Sequence, residues 1–205
     1  MNDIDSIISK VKKHQKYING ANKNKKSAVV IPLININDVI HILFEVRSKK
    51  LKSQPGDICF PGGRIEENEL PVVAAKREIY EELGINEDNI EIINELDTFV
   101  RYDGVIIHPF LGIVNCDVKI NISPDEVDHY FLVPIEYFIN NKPECYYSDI
   151  LVDRKIDFPF ERINGGKNYK FKKGVYETLF YKYNDNNIWG ITAAILNNFI
   201  ELISQ

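Results

Sequence analysis

Apolar residues in this chain fall into short β-branched runs separated by turn residues, with helical spacing at its start, middle and end. Ile4, Ile7, Ile8 and Val11 recur at helical intervals with lysines between them. They predict an amphipathic helix over residues 4–17, beginning near Asp3. Residues 28–36, AVVIPLINI, predict a buried strand, and residues 39–46, VIHILFEV, its hairpin partner across a two-residue Asn37-Asp38 turn. Pro32 cannot donate to a ladder, so it predicts an edge position or a bulge. Residues 47–57 are polar and basic with a Pro-Gly break and read as a loop, followed by a short strand at 58–60.

The pattern changes at GGRIEENELPVVAAKREIYEELGI, residues 62–85. Pro71 suits a first helical turn and Gly84 a helix end. On a helical wheel Val72, Ala75, Ile79 and Leu83 form one apolar stripe. Glu78, Glu81 and Glu82 form a second, roughly a third of a turn away at ~100° per residue. Ala74 falls on the carboxylate side, where a small residue leaves room for a ligand. Beyond the helix, residues 90–100 and 105–114 predict strands joined around Tyr102-Asp103-Gly104. Residues 123–129, SPDEVDH, predict an acidic turn, 130–133 a short strand stopped by Pro134, and 135–140 a short helix. Residues 145–171 carry no sustained period, 176–183 alternate as a strand, and 188–203 predict a closing helix. Strands around a central helix, with another helix at the end, predict a mixed sheet covered by helices.

Composition narrows the function classes. At 205 residues the chain reads as one domain, with residues 1–20 a helical extension and a core over about 28–205. A net charge of −5 argues against a broad nucleic-acid footprint. No apolar run reaches the length of a membrane span, and the first residues lack the apolar stretch of a signal peptide. Cys59, Cys116 and Cys145 are scattered and read as reduced thiols in a cytoplasmic protein. His108, ahead of a proline in an apolar strand, reads as structural, and Trp189, Tyr176, Phe180 and Phe199 read as core.

Three like charges on one helix face call for a counter-charge, and a hard divalent cation with oxygen ligands supplies one. The plainer alternative is a solvated acidic face on a surface helix. Two flanking features weaken it. Carboxylates late in a helix oppose the macrodipole, and paired glycines allow close backbone approach.

Gly63, Glu69, Arg77, Glu78, Ile79, Glu81, Glu82, Gly84 and Ile85 resemble the complete Nudix box, G, five residues, E, seven residues, REUxEExGU, with U a bulky aliphatic residue. The resemblance implies an α/β fold, the Nudix α/β/α sandwich with a mixed sheet and the catalytic helix after the glycine-rich loop. It implies hydrolysis of a nucleoside diphosphate linked to another moiety, with Mg2+ or Mn2+ as cofactor. By position, Glu78 and Glu82 would be the main metal ligands, Glu81 would assist, and the Gly62 carbonyl would complete the shell. Glu69 and Arg77 would hold loop to helix. The general base stays open among Glu81, Glu82 and Glu126, the last from the acidic turn, where a solvated loop glutamate is the alternative.

Upstream, residues 43–63, LFEVRSKKLKSQPGDICFPGG, resemble the signature of the coenzyme A diphosphatase branch, LLTxR(S/A), three residues, R, three residues, G, three residues, FPGG. Leu43, Arg47, Ser48, Gly56 and residues 60–63 match. Phe44 replaces a leucine, Glu45 a threonine and Lys52 the second arginine. Arg47 and Lys52 are the candidate contacts to the 3′-phosphate of coenzyme A, while Lys49 and Lys50 read as solvated. The expected partner is thus a small-molecule substrate, with no nucleic acid or membrane partner and with a homodimer left open. Rival readings are a Nudix pyrophosphatase of ADP-ribose or a dinucleotide, and a non-catalytic Nudix domain that senses a nucleotide.

Overall fold

Asn37 and Asp38 adopt positive φ angles of 51° and 64°, the mirror-image turn that matches the twist of paired strands. This turn joins the two strands on which the sheet is built. The computed structural model describes residues 4–14 and 24–205. In chain order its elements are α1 (Ile4–Lys12), β1 (Lys26–Ile36), β2 (Val39–Arg47), β3 (Ile58–Cys59), β4 (Gly62–Arg64) and α2 (Pro71–Leu83). There follow β5 (Ile90–Glu95), β6 (Phe99–Val100), β7 (Ile106–Val114), β8 (Val127–Pro134) and α3 (Ile135–Asn140). Last come β9 (Glu144–Ile150), β10 (Gly174–Tyr183), β11 (Asn186–Trp189) and α4 (Gly190–Ile203).

The main sheet runs β3-β2-β1-β7-β5, with β4 on β1, β6 on β7 and β8 on β2; a second sheet runs β11-β10-β9. β1 and β7 are parallel and the other pairs antiparallel, so the sheet is mixed, as expected. Alternation sends Ile31, Ile42, Phe44 and Val46 to one face and Ala28, Val30, Ile34 and Leu43 to the other. Ala75, Ile79 and Leu83 of α2 cover the second face. Phe138 of α3, Tyr181 and Ile188 of the small sheet, and Leu196 and Phe199 of α4 cover the first. Each fully buried side chain of this kind contributes roughly 1.5–3 kcal/mol, so both layers are held by ordinary apolar packing.

Several expectations are corrected. Pro32 lies in a central strand, not at an edge. β4 pairs with β1 only as far as Val29 and β2 only from Leu33, so residues 30–32 face a gap between them. The Val30 N–H reaches across to the Pro61 carbonyl at 2.9 Å. Pro32, on the same side two residues on, lacks a donor where no strand needs one. The predicted strand over 90–100 is broken into β5 and β6, with a register shift between Ile92 and Asn94. β8 begins at Val127, inside the expected acidic turn, because Val127 is buried while its polar neighbours face outward. Ile188 and Trp189 belong to β11, and α4 starts at Gly190, whose φ of 63° makes the corner. β9 lies in the stretch without a period because nearly all of it is exposed on both faces. Ala74 is fully buried among the apolar residues under α2, so it packs the core and leaves no room for a ligand. α1 ends at Lys12 with its apolar residues exposed, and the expected start at Asp3 and end at residue 17 lie outside the described residues.

Candidate active site

α2 is framed as its sequence demands. Pro71 opens it, and Gly84 closes it in the left-handed conformation at φ 67°, its N–H on the Tyr80 carbonyl. This frame turns Glu82 inward, only 5% exposed, and Glu82 Oε2 accepts the Gly62 N–H at 2.8 Å. The glycine pair makes that approach feasible. Gly62 has φ 152°, and a Cβ there would stand 2.3 Å from the Ala28 carbonyl oxygen. A Cβ on Gly63 would stand 2.4 Å from the carboxylate carbon of Glu78. One glycine lets β4 lie against β1, and the other leaves room for a carboxylate.

Arg77 ties the preceding loop to the helix. Its Nε and Nη2 donate to Glu69 at 2.9 and 3.1 Å, and Nη2 also donates to the Arg64 carbonyl at 3.0 Å. Its Nη1 donates to Glu78 Oε1 at 2.8 Å and to Glu81 Oε2 at 3.0 Å. Glu69 further accepts the Glu66 N–H, and the Arg77 guanidinium holds its carboxyl below the usual range. Arg77 is correspondingly held above its own, chiefly by Glu69.

Burial pushes the carboxyls of Glu78 and Glu82 upward, and neighbouring carboxylates push further. For Glu82 the foremost of these neighbours is Glu45, followed by Glu78 and Glu126. Glu126 is exposed, and its main chain is well anchored. Its carbonyl accepts the Ser48 N–H at 2.8 Å, while Ser123 N–H reaches the Glu82 carbonyl at 2.9 Å. The acidic turn is therefore pinned between the end of β2 and the end of α2. Glu81 is half exposed and bonded to Arg77, outside the buried set. The contact that Gly62 makes to the cluster runs through its N–H, whereas the sequence pointed to its carbonyl.

On the other side of the glycine pair lies a cavity of about 360 Å³. Gly62, Arg47, Arg101, Tyr102, Tyr176 and Trp189 are among its walls. Arg47 Nε is buried with no partner. Lys52 is exposed and absent from the wall, so the two cations paired by sequence are not brought together. Lys50, read as solvated, makes an exposed ion pair with Asp125 at 2.8 Å. Trp189 is 43% exposed and stacked on Phe180 at 5.7 Å, and Tyr176 meets Tyr102 edge-on at 5.0 Å. Trp189 and Tyr176 thus line the cavity and do not belong to the core, while Phe199 is core as expected. His108 pairs with Glu95 at 2.6 Å, β7 to β5.

Sequence reasoning missed Arg101 and undervalued Glu45. Glu45 is fully buried, accepts the Cys59 thiol at 3.1 Å through Oε1, and leaves Oε2 without a partner. Burial pushes its carboxyl up to about 7. A carboxylate inside the apolar run of residues 42–46, ILFEV, was the available signal.

This donor set fits a hard divalent cation. It is built of carboxylates that repel one another, one buried carboxylate oxygen has no partner, and the Gly63 notch is open to Glu78. Among the described residues no three His, Cys, Asp or Glu side chains are already arranged to hold an ion. Arg77 takes one oxygen of each of Glu78 and Glu81, Oε1 and Oε2 respectively, and leaves the other oxygen of each carboxylate outside its grip.

The family model described as NUDIX domain matches residues 24–150. Over 136 residues the chain is 32% identical to Peroxisomal coenzyme A diphosphatase NUDT7 of Mus musculus, covering 66% of this chain and 57% of that protein. It is also 32% identical over 120 residues to Peroxisomal coenzyme A diphosphatase ndx-8 of Caenorhabditis elegans, covering 57% of this chain and 50% of that one. The chain thus spans about half the length of these two relatives. Over 195 residues it is 25% identical to Uncharacterized Nudix hydrolase NudL of Citrobacter koseri, covering 94% and 91%. A solved MutT/nudix family protein from Enterococcus faecalis shares the fold at TM-score 0.53 and 15% identity, covering 99% of this chain and 70% of that one. With the glycine pair, the Arg77 clasp and the carboxylate helix all inside the matched span, this chain belongs to the Nudix domain family.

Proposed function

We propose that the chain is a divalent-metal-dependent diphosphatase. Its substrate is coenzyme A or an acyl derivative, cleaved to 3′,5′-ADP and 4′-phosphopantetheine or its acylated form. One observation carries this reading: Gly62 belongs at once to the carboxylate cluster, through its N–H on Glu82, and to the cavity wall. A diphosphate entering the cavity therefore meets the carboxylate helix across a single residue. The likeness to two proteins named coenzyme A diphosphatases supports the substrate.

Glu78 and Glu82 would hold the cation, with Glu81 and the Gly62 carbonyl assisting. When bound, magnesium or manganese would offset the negative charge of the diphosphate and lower the pKa of a water. Arg47 directs its unpaired Nε–H to a phosphate oxygen. Glu81, Glu82 or Glu126 removes the proton of the attacking water. Tyr102, Tyr176 and Trp189 offer apolar faces to the organic part of the substrate and exclude water from it. Glu69 and Arg77 keep loop and helix in register.

One observation favours a second reading. Lys52 stands off the cavity wall, which leaves a 3′-phosphate fewer cations and suits ADP-ribose or a dinucleotide. A panel of coenzyme A, acyl derivatives, dephospho-coenzyme A, ADP-ribose and dinucleotides, with magnesium and product identification, tests both. Release of 3′,5′-ADP at the highest kcat/KM is the expected result. Equal turnover of coenzyme A and its dephospho form overturns the 3′-phosphate assignment. Binding of coenzyme A without any release of product would point to a sensing domain.

A further inference from the structure

Glu45 lies on β2, on the sheet face that α2 covers. Its neighbours Phe44 and Val46 belong to the opposite apolar layer, whereas Leu43 packs under α2. Alternation therefore directs Glu45 toward the helix. Solvent does not reach the side chain, and its ladder partners are Cys59 of β3 and Tyr130 of β8. Oε1 is satisfied by the Cys59 thiol, while Oε2 has no donor.

The charges around it are unequal. Arg47 attracts it, while Glu126 and Glu78 repel it, and Glu45 in turn is the foremost neighbouring charge acting on Glu82. An unpartnered carboxylate oxygen buried among carboxylates is costly, and such groups persist in structures where they are paired or coordinate a metal. A strand position with only a packing role would carry an apolar residue, as Leu43 and Phe44 do beside it. The branch signature has threonine here, so Glu45 is this chain's own departure from it.

We propose that Glu45 is a further ligand of the divalent cation, reaching it through Oε2 from the strand side, directly or through one bound water. The cation would then be gripped between the sheet and the helix carboxylates. This rests on Glu78 and Glu82 holding that ion.

The test is Mn2+ binding to the full chain without substrate, read from the EPR signal of free Mn2+ at fixed pH. Wild type, Glu45→Gln and Glu82→Gln are compared, with the metal-free Tm of each. Glu45→Gln is expected to weaken Mn2+ binding by about tenfold or more, the range seen when a ligand's surroundings are removed. Its metal-free Tm should hold or rise, because the isostere removes a buried charge. A smaller loss overturns the proposal and leaves Glu45 as a buried partner of the Cys59 thiol beside Arg47. Wild-type affinity in Glu82→Gln would instead overturn the helix ligand set on which this rests. A crystal of the wild-type chain with Mn2+ needs no variant to fold. Glu45 on the ion, or on a water bound to it, supports the proposal, and neither contact overturns it.

Discussion

Gly62 and Gly63 are adjacent and irreplaceable for different reasons. At Gly62 an added Cβ meets main chain, at 2.3 Å from the Ala28 carbonyl, and nothing there can yield. Gly62→Ala should cost about 3 kcal/mol or more in urea unfolding, from overpacking and positive φ together. At Gly63 the Cβ meets only the end of the Glu78 side chain. Gly63→Ala should therefore cost less than about 1 kcal/mol yet displace Glu78, weakening Mn2+ binding and turnover. Equal stability losses in the two variants would refute this division. Glu82→Gln can keep the hydrogen bond from Gly62 while removing a buried charge. Turnover should fall on the order of 10²-fold or more, with metal-free Tm unchanged or raised; near-normal activity would remove Glu82 from the site. Glu69 titrates the other way. Its folded pKa is depressed by Arg77, so its contribution is complete above the ordinary ~4.3 and is lost as pH falls through the lower folded value. The stability gap between wild type and Glu69→Gln should be present at neutral pH and vanish in strong acid, which a pH series of urea unfolding would check.

At the scale of elements, local chemistry was a good guide where it alone decides. The Asn37-Asp38 turn, Pro71 and Gly84 all sit where their conformational preferences direct. The wheel also separated the α2 core stripe from its carboxylates, although it put Ala74 on the wrong side of that division. β9 and the start of β8 were illegible because alternation marks a strand only when one face is buried. The break between β11 and α4 was illegible because Ile188 and Ile191 both read as helix positions, and only the turn at Gly190 separates them. A Cβ on Gly190 meets no atom within 4 Å, so Gly190→Ala isolates the backbone term. It should cost about 1–2 kcal/mol; no measurable loss would show that the corner is unstrained.

At the scale of the molecule, the cavity assembles residues from six separate segments, among them Arg47, Arg101, Tyr176 and Trp189. No spacing rule connects such positions, which is why Trp189 and Tyr176 resembled core in the chain. Trp189→Ala should raise KM several-fold with a smaller effect on kcat, since it removes an apolar wall of the cavity and no carboxylate. Arg47→Ala should lower kcat/KM on coenzyme A more than on its dephospho form. Losses that are equal on both substrates would assign Arg47 to the diphosphate.

The chain's own order of residues determined the carboxylate helix, its caps, the glycine pair before it and the family to which they belong, because each depends on neighbours within a few turns or a single hairpin. Tertiary structure alone decided that Glu82 faces inward, that Glu45, 37 positions earlier, is buried within the sheet, and that Gly62 links the carboxylates to a cavity. Those outcomes depend on how two faces of one sheet are covered. A wheel or a spacing cannot express that, because burial is set by the partner element and not by the residue's own neighbours.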